Sequence, residues 1–149
     1  MFQFVQGDLF ESGCDALVNP INCTPAMGKG LALEFRRRFP GLYEQHVKLA
    51  NAGFIQPGQL TVFQGEGPII IGLPTKRHWR DHSRLQDVAL GVRAVRGLLE
   101  ANPAVRSVAI PALGCGLGGL KWGDVKAVLL RELEGVSARI VIFPPAGSN

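Results

Sequence analysis

The sequence predicts an α/β fold: a three-layer α/β/α sandwich with a mixed, mostly parallel central sheet. Helix and strand patterns alternate along the chain, one hairpin signal interrupts the alternation, and 149 residues suffice for one core. Alternation favours parallel pairing, because parallel neighbours are joined by a crossover that a helix usually supplies. We therefore expect one domain over residues 1–149, compatible with the N-terminal part of a longer protein.

The first third of the chain predicts two strands followed by two helices. Residues 2–6 alternate apolar and polar side chains and residues 15–19 form a short apolar run, so both predict strands. Residues 31–39 and 43–52 carry apolar side chains at helical spacing, and each segment ends at a proline or a glycine.

The middle of the chain predicts the hairpin. Residues 59–64 and 68–73 are rich in apolar and β-branched side chains, and the turn Gly65-Glu66-Gly67 joins them. Antiparallel neighbours joined by a short glycine-containing loop are the usual form of a hairpin. This pair makes the predicted sheet mixed.

The last part of the chain returns to alternation. Residues 83–101 carry an apolar stripe at helical spacing, with Ser83 as the expected N-cap. Residues 107–111 predict a strand, residues 124–133 a helix, and residues 138–143 a final strand.

Composition narrows the class of protein. The formal net charge of +4 and pI near 9.3 favour anionic partners such as nucleotides or nucleic acid. The longest apolar stretch, residues 68–74, is too short to cross a bilayer, and the N-terminus lacks the pattern of a signal peptide. We expect a cytoplasmic protein with no membrane partner.

The cysteines and histidines give little support for a metal site. Cys14, Cys23 and Cys115 are odd in number and lack C-x-x-C spacing, so neither a disulfide framework nor zinc is indicated. His78 and His82 stand four residues apart without the H-E-x-x-H pattern. A catalytic thiolate at Cys23 or Cys115 is the alternative to a small side chain packed beside a ligand.

Two glycine-rich loops are the main functional signal. Residues 18–30 and residues 111–122 each join an apolar run to a helical pattern, and glycines in such loops expose backbone N–H groups to an anion. The spacing of Gly114, Gly116 and Gly119 formally fits G-x-G-x-x-G, but too little chain follows for a Rossmann domain. Either loop alone is also compatible with a tight connection that binds nothing. Together they predict a clasp around a phosphate-bearing ligand.

Polar side chains after the predicted strands are the candidates for chemistry. Lys76 follows the most apolar strand and can act as a nucleophile toward a sugar C1 or an aldehyde, clamp a phosphate, or belong to a solvated basic turn. Asp8 can accept from an adenine amino group or a ribose hydroxyl, or cap its own turn. Asn19 and Asn22 can knit their loop or bind sugar hydroxyls, and on this reasoning we assign sugar binding to Asn22.

These motifs together resemble the macrodomain family of ADP-ribose-binding α/β/α proteins. Gly7-Asp8-Leu9 resembles the adenine-site turn, residues 18–22 the strand end Val-Asn-Ala-Ala-Asn, and residues 27–30 and 111–118 the two phosphate loops. The resemblance covers nearly the whole chain. It implies that ADP-ribose is bound by Asp8, Leu9, Asn19, Cys23, Met27, Gly28, Lys29, Gly30, Leu31, Leu113, Gly114, Cys115, Gly116, Leu117 and Gly118.

Within the family, the chain is most similar to the branch of the DarG antitoxins and the human terminal ADP-ribose glycohydrolase, on the basis of Asn22-Cys23, residues 27–32, residues 114–117 and Trp122. The resemblance implies a cofactor-independent ADP-ribosyl glycohydrolase in which Lys76 is catalytic and Asn22 orients the distal ribose. It further implies thymine-linked ADP-ribose on single-stranded DNA as substrate, installed by a DarT-like toxin as possible partner. The human enzyme uses an aspartate where this chain has Gly118, which counts against glutamate-ester deacylation by that two-residue mechanism.

Three other functions remain open at this point. A non-catalytic reader would bind ADP-ribose without cleaving it, but has little use for a lysine beside the distal ribose. A second alternative is a hydrolase of ADP-ribosylated protein side chains. A nucleic-acid-binding module is suggested by the charge and by Trp79 among arginines, and it can coexist with a DNA-directed hydrolase.

Overall fold

The computed structural model describes residues 1–148 and contains one six-stranded sheet within them. The strands are β1 (Phe2–Phe4), β2 (Ala16–Asn22), β3 (Thr61–Phe63), β4 (Ile69–Lys76), β5 (Ser107–Pro111) and β6 (Arg139–Phe143). Their order in the sheet is β1-β6-β5-β2-β4-β3, and every neighbouring pair is parallel except the β3–β4 hairpin. The prediction of a mixed, mostly parallel sheet with one hairpin is therefore confirmed.

Helices cover both faces of the sheet and give the predicted three layers. The helices are α1 (Gly30–Arg38), α2 (Leu42–Asn51), α3 (Leu85–Ala101) and α4 (Trp122–Glu132). Ala16 and Val18 of β2 pack with buried residues of α3 and α4, whereas Leu17 and Ile21 pack with Phe35 of α1. This alternation follows from the pleat of a strand buried on both faces. None of the helices within residues 1–148 is long and apolar enough to span a bilayer.

Two central strands run further than the sequence pattern predicts. The predicted ends were residues 19 and 73, each directly before a proline, but β2 continues to Asn22 and β4 to Lys76. Pro20 pairs with Leu73 in this extension, while β2 pairs with β5 only at Ala16 and Leu17. A proline is tolerated in a strand where the ladder on one side has ended.

The predicted N-cap of α3 is wrong. The helix begins at Leu85, and its N-cap is Arg84, which makes no side-chain capping bond. Ser83 is instead buried against the second glycine loop, where its N–H donates to Gly118 O at 2.9 Å. The preference of serine for N-caps is outweighed here by this long-range contact.

Candidate active site

A cleft of about 660 Å³ opens at the carboxyl end of the sheet. It lies where β2 and β5 diverge after their short pairing, which is the position at which open α/β sheets usually bind ligands. Its volume is within the range of small-molecule sites. Residues from the strand ends lining it are Pro20, Ile21, Asn22, Thr75, Lys76, Pro111, Ala112, Phe143, Pro144 and Pro145.

The first glycine loop forms one wall of this cleft and is organised by Asn22. Its Nδ2 donates to Ala26 O at 3.1 Å, and its Oδ1 accepts from both Thr24 N, at 2.9 Å, and Thr24 Oγ1. The Asn22 side chain thus stabilises its own loop, which is one of the two roles that the sequence left open. One amide hydrogen of Nδ2 is left over, because an asparagine amide carries two donors.

His46 of α2 holds this loop from below and was missed by the sequence analysis. Its Nε2 donates to Thr24 O at 2.8 Å, and the ring is almost fully buried. Burial lowers the pKa of His46, which favours the neutral ring, while the bond to Thr24 opposes that shift. A single polar residue on the apolar face of a predicted helix is the signal that could have identified it.

The loop ends at the open N-terminus of α1. Lys29 is the N-cap and supplies no capping side chain, so the first N–H groups of the helix are left without an intrahelical acceptor. Gly30, Leu31 and Ala32 carry these groups and all line the cleft. Backbone donors at the positive end of a helix dipole form an anion-binding site.

The second glycine loop, residues 114–118, forms the opposite wall. A Cβ on Gly118 would overlap Ser83 Oγ and lie 2.5 Å from Gly114 O, so this position excludes any side chain. Within residues 1–148, the N–H groups of Gly116, Leu117 and Gly118 donate no hydrogen bond. They remain available to a ligand.

The two glycine loops meet across the cleft. The position of a Cβ on Gly30 is 3.5 Å from Leu117 Cδ1, although Leu117 is 61 % exposed. The predicted juxtaposition of the two loops therefore exists, with an apolar side chain bridging them at the mouth.

Lys76 and Asn22 lie side by side on the cleft floor. They are partners in the β2–β4 register, just after an irregularity between Ile21 and Asn22. Lys76 is half-buried and its Nζ donates to Trp79 O at 3.4 Å. The parallel sheet thus brings an amine and an amide to one point between the glycine loops.

The cysteines near the cleft are poor nucleophiles. Burial raises the pKa of Cys115 to about 11, and burial together with Asp87 raises the pKa of Cys23. Both thiols are protonated at neutral pH, which counts against a catalytic thiolate. Within residues 1–148, no three His, Cys, Asp or Glu side chains cluster in a way that could hold a metal ion.

Asp8 and Leu9 lie outside the lining of the cleft. Asp8 is exposed, its Oδ1 accepts from Phe10 N at 2.9 Å, and its Oδ2 lies 4.0 Å from Arg38. It thus caps its own turn, as the simpler interpretation predicted, and Leu9 is buried in the core. Their contact with ADP-ribose stays a prediction.

Three other predicted binding residues are also absent from the lining. Asn19 faces α2 beside His46, is 1 % exposed, and its Oδ1 has no partner within residues 1–148. Leu113 is fully buried in the core, and its carbonyl oxygen accepts from Cys115 Sγ at 3.6 Å. Cys23 contributes its backbone N–H to Lys76 O at 3.0 Å.

Other predicted residues do line the cleft, together with some that the sequence analysis missed. Phe143, Pro144 and Pro145 belong to it because β6 lies beside β5, a neighbour relation that sequence order does not reveal. Trp79 also lines its edge. Predicted residues in the lining are Asn22, Met27, Gly28, Lys29, Gly30, Leu31, Lys76, Gly114, Cys115, Gly116, Leu117 and Gly118.

Two glycine loops clasping a cleft at the carboxyl end of an α/β/α sheet are the features of a macrodomain. The family model for the Macro domain matches residues 18–129, and the chain belongs to this family. The chain is 40 % identical over 157 aligned residues to the DNA ADP-ribosyl glycohydrolase of Mycobacterium tuberculosis, covering 100 % of this chain and 44 % of the relative. The chain therefore spans less than half the length of that relative.

Comparison with solved structures also finds similarity to DarG and DarTG proteins. The macrodomain of Mycobacterium tuberculosis DarG superposes with a TM-score of 0.92 at 37 % identity, over 98 % of this chain and 99 % of that one. Thermosipho africanus DarTG in complex with ADP-ribose superposes with a TM-score of 0.92 at 28 % identity, over 99 % of this chain and 42 % of that one.

Proposed function

We propose that this macrodomain is an ADP-ribosyl glycohydrolase that removes ADP-ribose from thymine bases of single-stranded DNA, as antitoxin to a DarT-like transferase. The observation that carries the proposal is Lys76 beside Asn22 on the floor of the cleft, between two walls of backbone donors. The names of the relatives support it, since they include a DNA ADP-ribosyl glycohydrolase and a DarTG structure holding ADP-ribose.

The backbone donors on the two walls of the cleft can bind the diphosphate of ADP-ribose. The α1 N-terminus and the N–H groups of residues 116–118 face each other across the cleft and supply donors without any titratable group. A diphosphate held from both sides fixes the distal ribose over the strand ends. The apolar side of the cleft near Phe143 is then available to the adenine.

Hydrolysis of the N-glycosidic bond requires help at both sides of C1″. Positive charge develops on the ribose as the bond to the thymine nitrogen breaks, and the departing base needs a proton. Water supplies the new hydroxyl at C1″. Lys76 is the ionisable side chain on the floor beside Asn22, so the chemistry is assigned to Lys76 and the orientation of the ribose to Asn22.

Two roles for Lys76 are chemically open and can be separated. As a nucleophile the neutral amine bonds to C1″ as the bond to the base breaks, the proton that the amine loses passes to the departing base, and water then cleaves the bond between C1″ and the lysine nitrogen. As a general acid the ammonium protonates the base while water attacks C1″ directly. The first role leaves a covalent ADP-ribosyl adduct on acid-quenched protein, detectable by mass spectrometry, and the second leaves none.

Lys76→Ala tests the proposal. We expect it to abolish release of ADP-ribose from a single-stranded oligonucleotide carrying ADP-ribosyl-thymine, measured by chromatography, because no other group replaces the amine. Binding of free ADP-ribose, measured by calorimetry, should persist, since the backbone donors remain. Lys48→Ala, at an exposed lysine of α2, is the matched control and should leave both measurements unchanged.

The results of these activity and binding assays distinguish the candidate functions from one another. Retained turnover in Lys76→Ala would remove this lysine from catalysis. A wild-type protein that binds ADP-ribose but releases none from any substrate would be a reader. A wild-type protein that acts only on modified protein would be a side-chain hydrolase.

A further inference from the structure

The segment after β4, residues 77–84, is not explained by the cleft chemistry, and we call it the rim loop. It carries Arg77, Arg80 and Arg84 against a single acidic residue, Asp81. Apart from Ser83, its side chains are exposed. This surface begins directly after Lys76 and is therefore continuous with the floor of the cleft.

Trp79 is the centre of the rim loop. Trp79 is 41 % exposed at the edge of the cleft, whereas tryptophan is highly buried on average. The His78 ring stacks on it at 5.6 Å between centroids with an angle of 29°, and the Arg80 guanidinium lies 4.6 Å from its centroid. The His78 ring and the Arg80 guanidinium thus lie against the indole, and the part of Trp79 that stays exposed is the surface on which a nucleobase can stack.

The rim loop is held in place before any ligand arrives. Arg77 donates two hydrogen bonds to Asp87 of α3, at 3.0 and 3.2 Å. At the other end, Ser83 N–H donates to Gly118 O at 2.9 Å. An anchored stacking surface loses little conformational freedom on binding.

The stack is also linked to the catalytic lysine. The backbone carbonyl of Trp79 accepts from Lys76 Nζ at 3.4 Å, and Trp79 also lines the cleft. Nucleotides beside a modified base that is bound at Lys76 would therefore lie within reach of this loop. Exposed aromatic rings with neighbouring cations are the usual means of binding single strands without sequence preference.

We propose, on the basis of the proposed function, that the rim loop binds single-stranded DNA. Trp79 stacks on a base that neighbours the modified thymine, and Arg80 and Arg84 contact the phosphates of the strand. Arg77 takes no part, because its guanidinium is engaged by Asp87.

The first test uses unmodified single-stranded oligonucleotide labelled with fluorescein, measured by anisotropy. Trp79→Ala should weaken binding roughly tenfold, and Trp79→Phe, which keeps a ring, should restore most of it. Phe54→Ala, at an exposed aromatic residue outside the rim loop, is the matched control and should bind as wild type. Arg80→Ala should weaken binding and reduce its salt dependence. Equal binding by wild type and Trp79→Ala would overturn the proposal.

The second test separates the rim loop from the chemistry. On ADP-ribosyl-thymine within an oligonucleotide, Trp79→Ala should lower kcat/KM roughly tenfold. On ADP-ribosyl-thymidine, which has no neighbouring bases, it should be close to wild type. Equal losses on both substrates would overturn the proposal, because Trp79 would then act only through Lys76. If wild type binds the oligonucleotide through Trp79 but hydrolyses neither substrate, the proposed hydrolase function is wrong, whereas the proposal that the rim loop binds single-stranded DNA is supported.

Discussion

Gly118 and Ser83 define the second glycine loop at the level of single residues. Gly118 has no space for a Cβ because Ser83 Oγ and Gly114 O occupy it. A carboxylate side chain at this position therefore has no room. A mechanism centred on Lys76 agrees with that restriction.

Gly118→Ala should damage both the loop and ligand binding. The new methyl group must displace buried Ser83 or the backbone, which should lower the free energy of unfolding by about 1–3 kcal/mol. ADP-ribose affinity should fall as well, because the neighbouring N–H groups shift. Urea denaturation and calorimetry measure the two effects.

The control for this substitution is Gly116→Ala. A Cβ on Gly116 meets nothing within 4 Å, so stability should stay close to wild type. Equal stability of Gly118→Ala and Gly116→Ala would contradict the steric account.

The position of Lys76 and Asn22 at the cleft was predictable from sequence, because both residues follow apolar runs and parallel strands end at one edge of the sheet. The roles of Ser83 and His46 were not. Both act through contacts with distant segments, Ser83 with Gly118 and His46 with Thr24. Local preference suggested a helix cap for Ser83, and the position of His46 on the apolar face of a predicted helix did not reveal that its partner is Thr24.

At the scale of elements, α3 lies unusually close to β4. A Cβ on Gly91 would lie 2.6 Å from both Leu73 Cγ and Cδ2, and Leu73 is fully buried. This close approach sets the position of α3, and therefore of the rim loop that precedes it.

Two alanine substitutions in α3 should have opposite effects. Gly91→Ala should lower the free energy of unfolding by about 1–3 kcal/mol through overpacking. Gly97→Ala, in the same helix but with nothing within 4 Å of its Cβ, should raise it by about 0.5–1 kcal/mol through helix propensity. Denaturant titrations measure both values. Stabilisation by Gly91→Ala would mean that α3 is free to move away from β4.

The contact between α2 and the first glycine loop should make stability depend on pH. Because burial lowers the pKa of His46, the unfolded chain binds the proton more readily than the native state. The stability that neutral His46 contributes is present above about pH 6.5, the pKa of histidine in the unfolded chain. It is lost as the pH falls through the lowered pKa that His46 has in the folded protein.

His46→Gln checks this dependence, since glutamine does not titrate. Urea denaturation at pH 7.5 and 5.5 should give a larger loss of stability for wild type than for the variant. A loss of the same size in both proteins would assign the pH dependence to other groups.

At the scale of the whole molecule, the sheet creates the cleft by letting β2 and β5 separate. The α/β/α class and the hairpin could be predicted, because they depend on periodicity and alternation. The position of β6 beside β5, which brings Phe143 to the cleft, could not, because strand order is set by packing over the whole chain. The extensions of β2 and β4 past prolines likewise depend on their neighbours.

The most direct test of the central claim compares two substrates of the wild-type protein. One is a single-stranded oligonucleotide with ADP-ribosyl-thymine, and the other is a peptide with ADP-ribosyl-glutamate. A cleft with Lys76 but no carboxylate at position 118 should release ADP-ribose from the oligonucleotide and leave the peptide intact. Release from the peptide with an intact oligonucleotide would contradict the account.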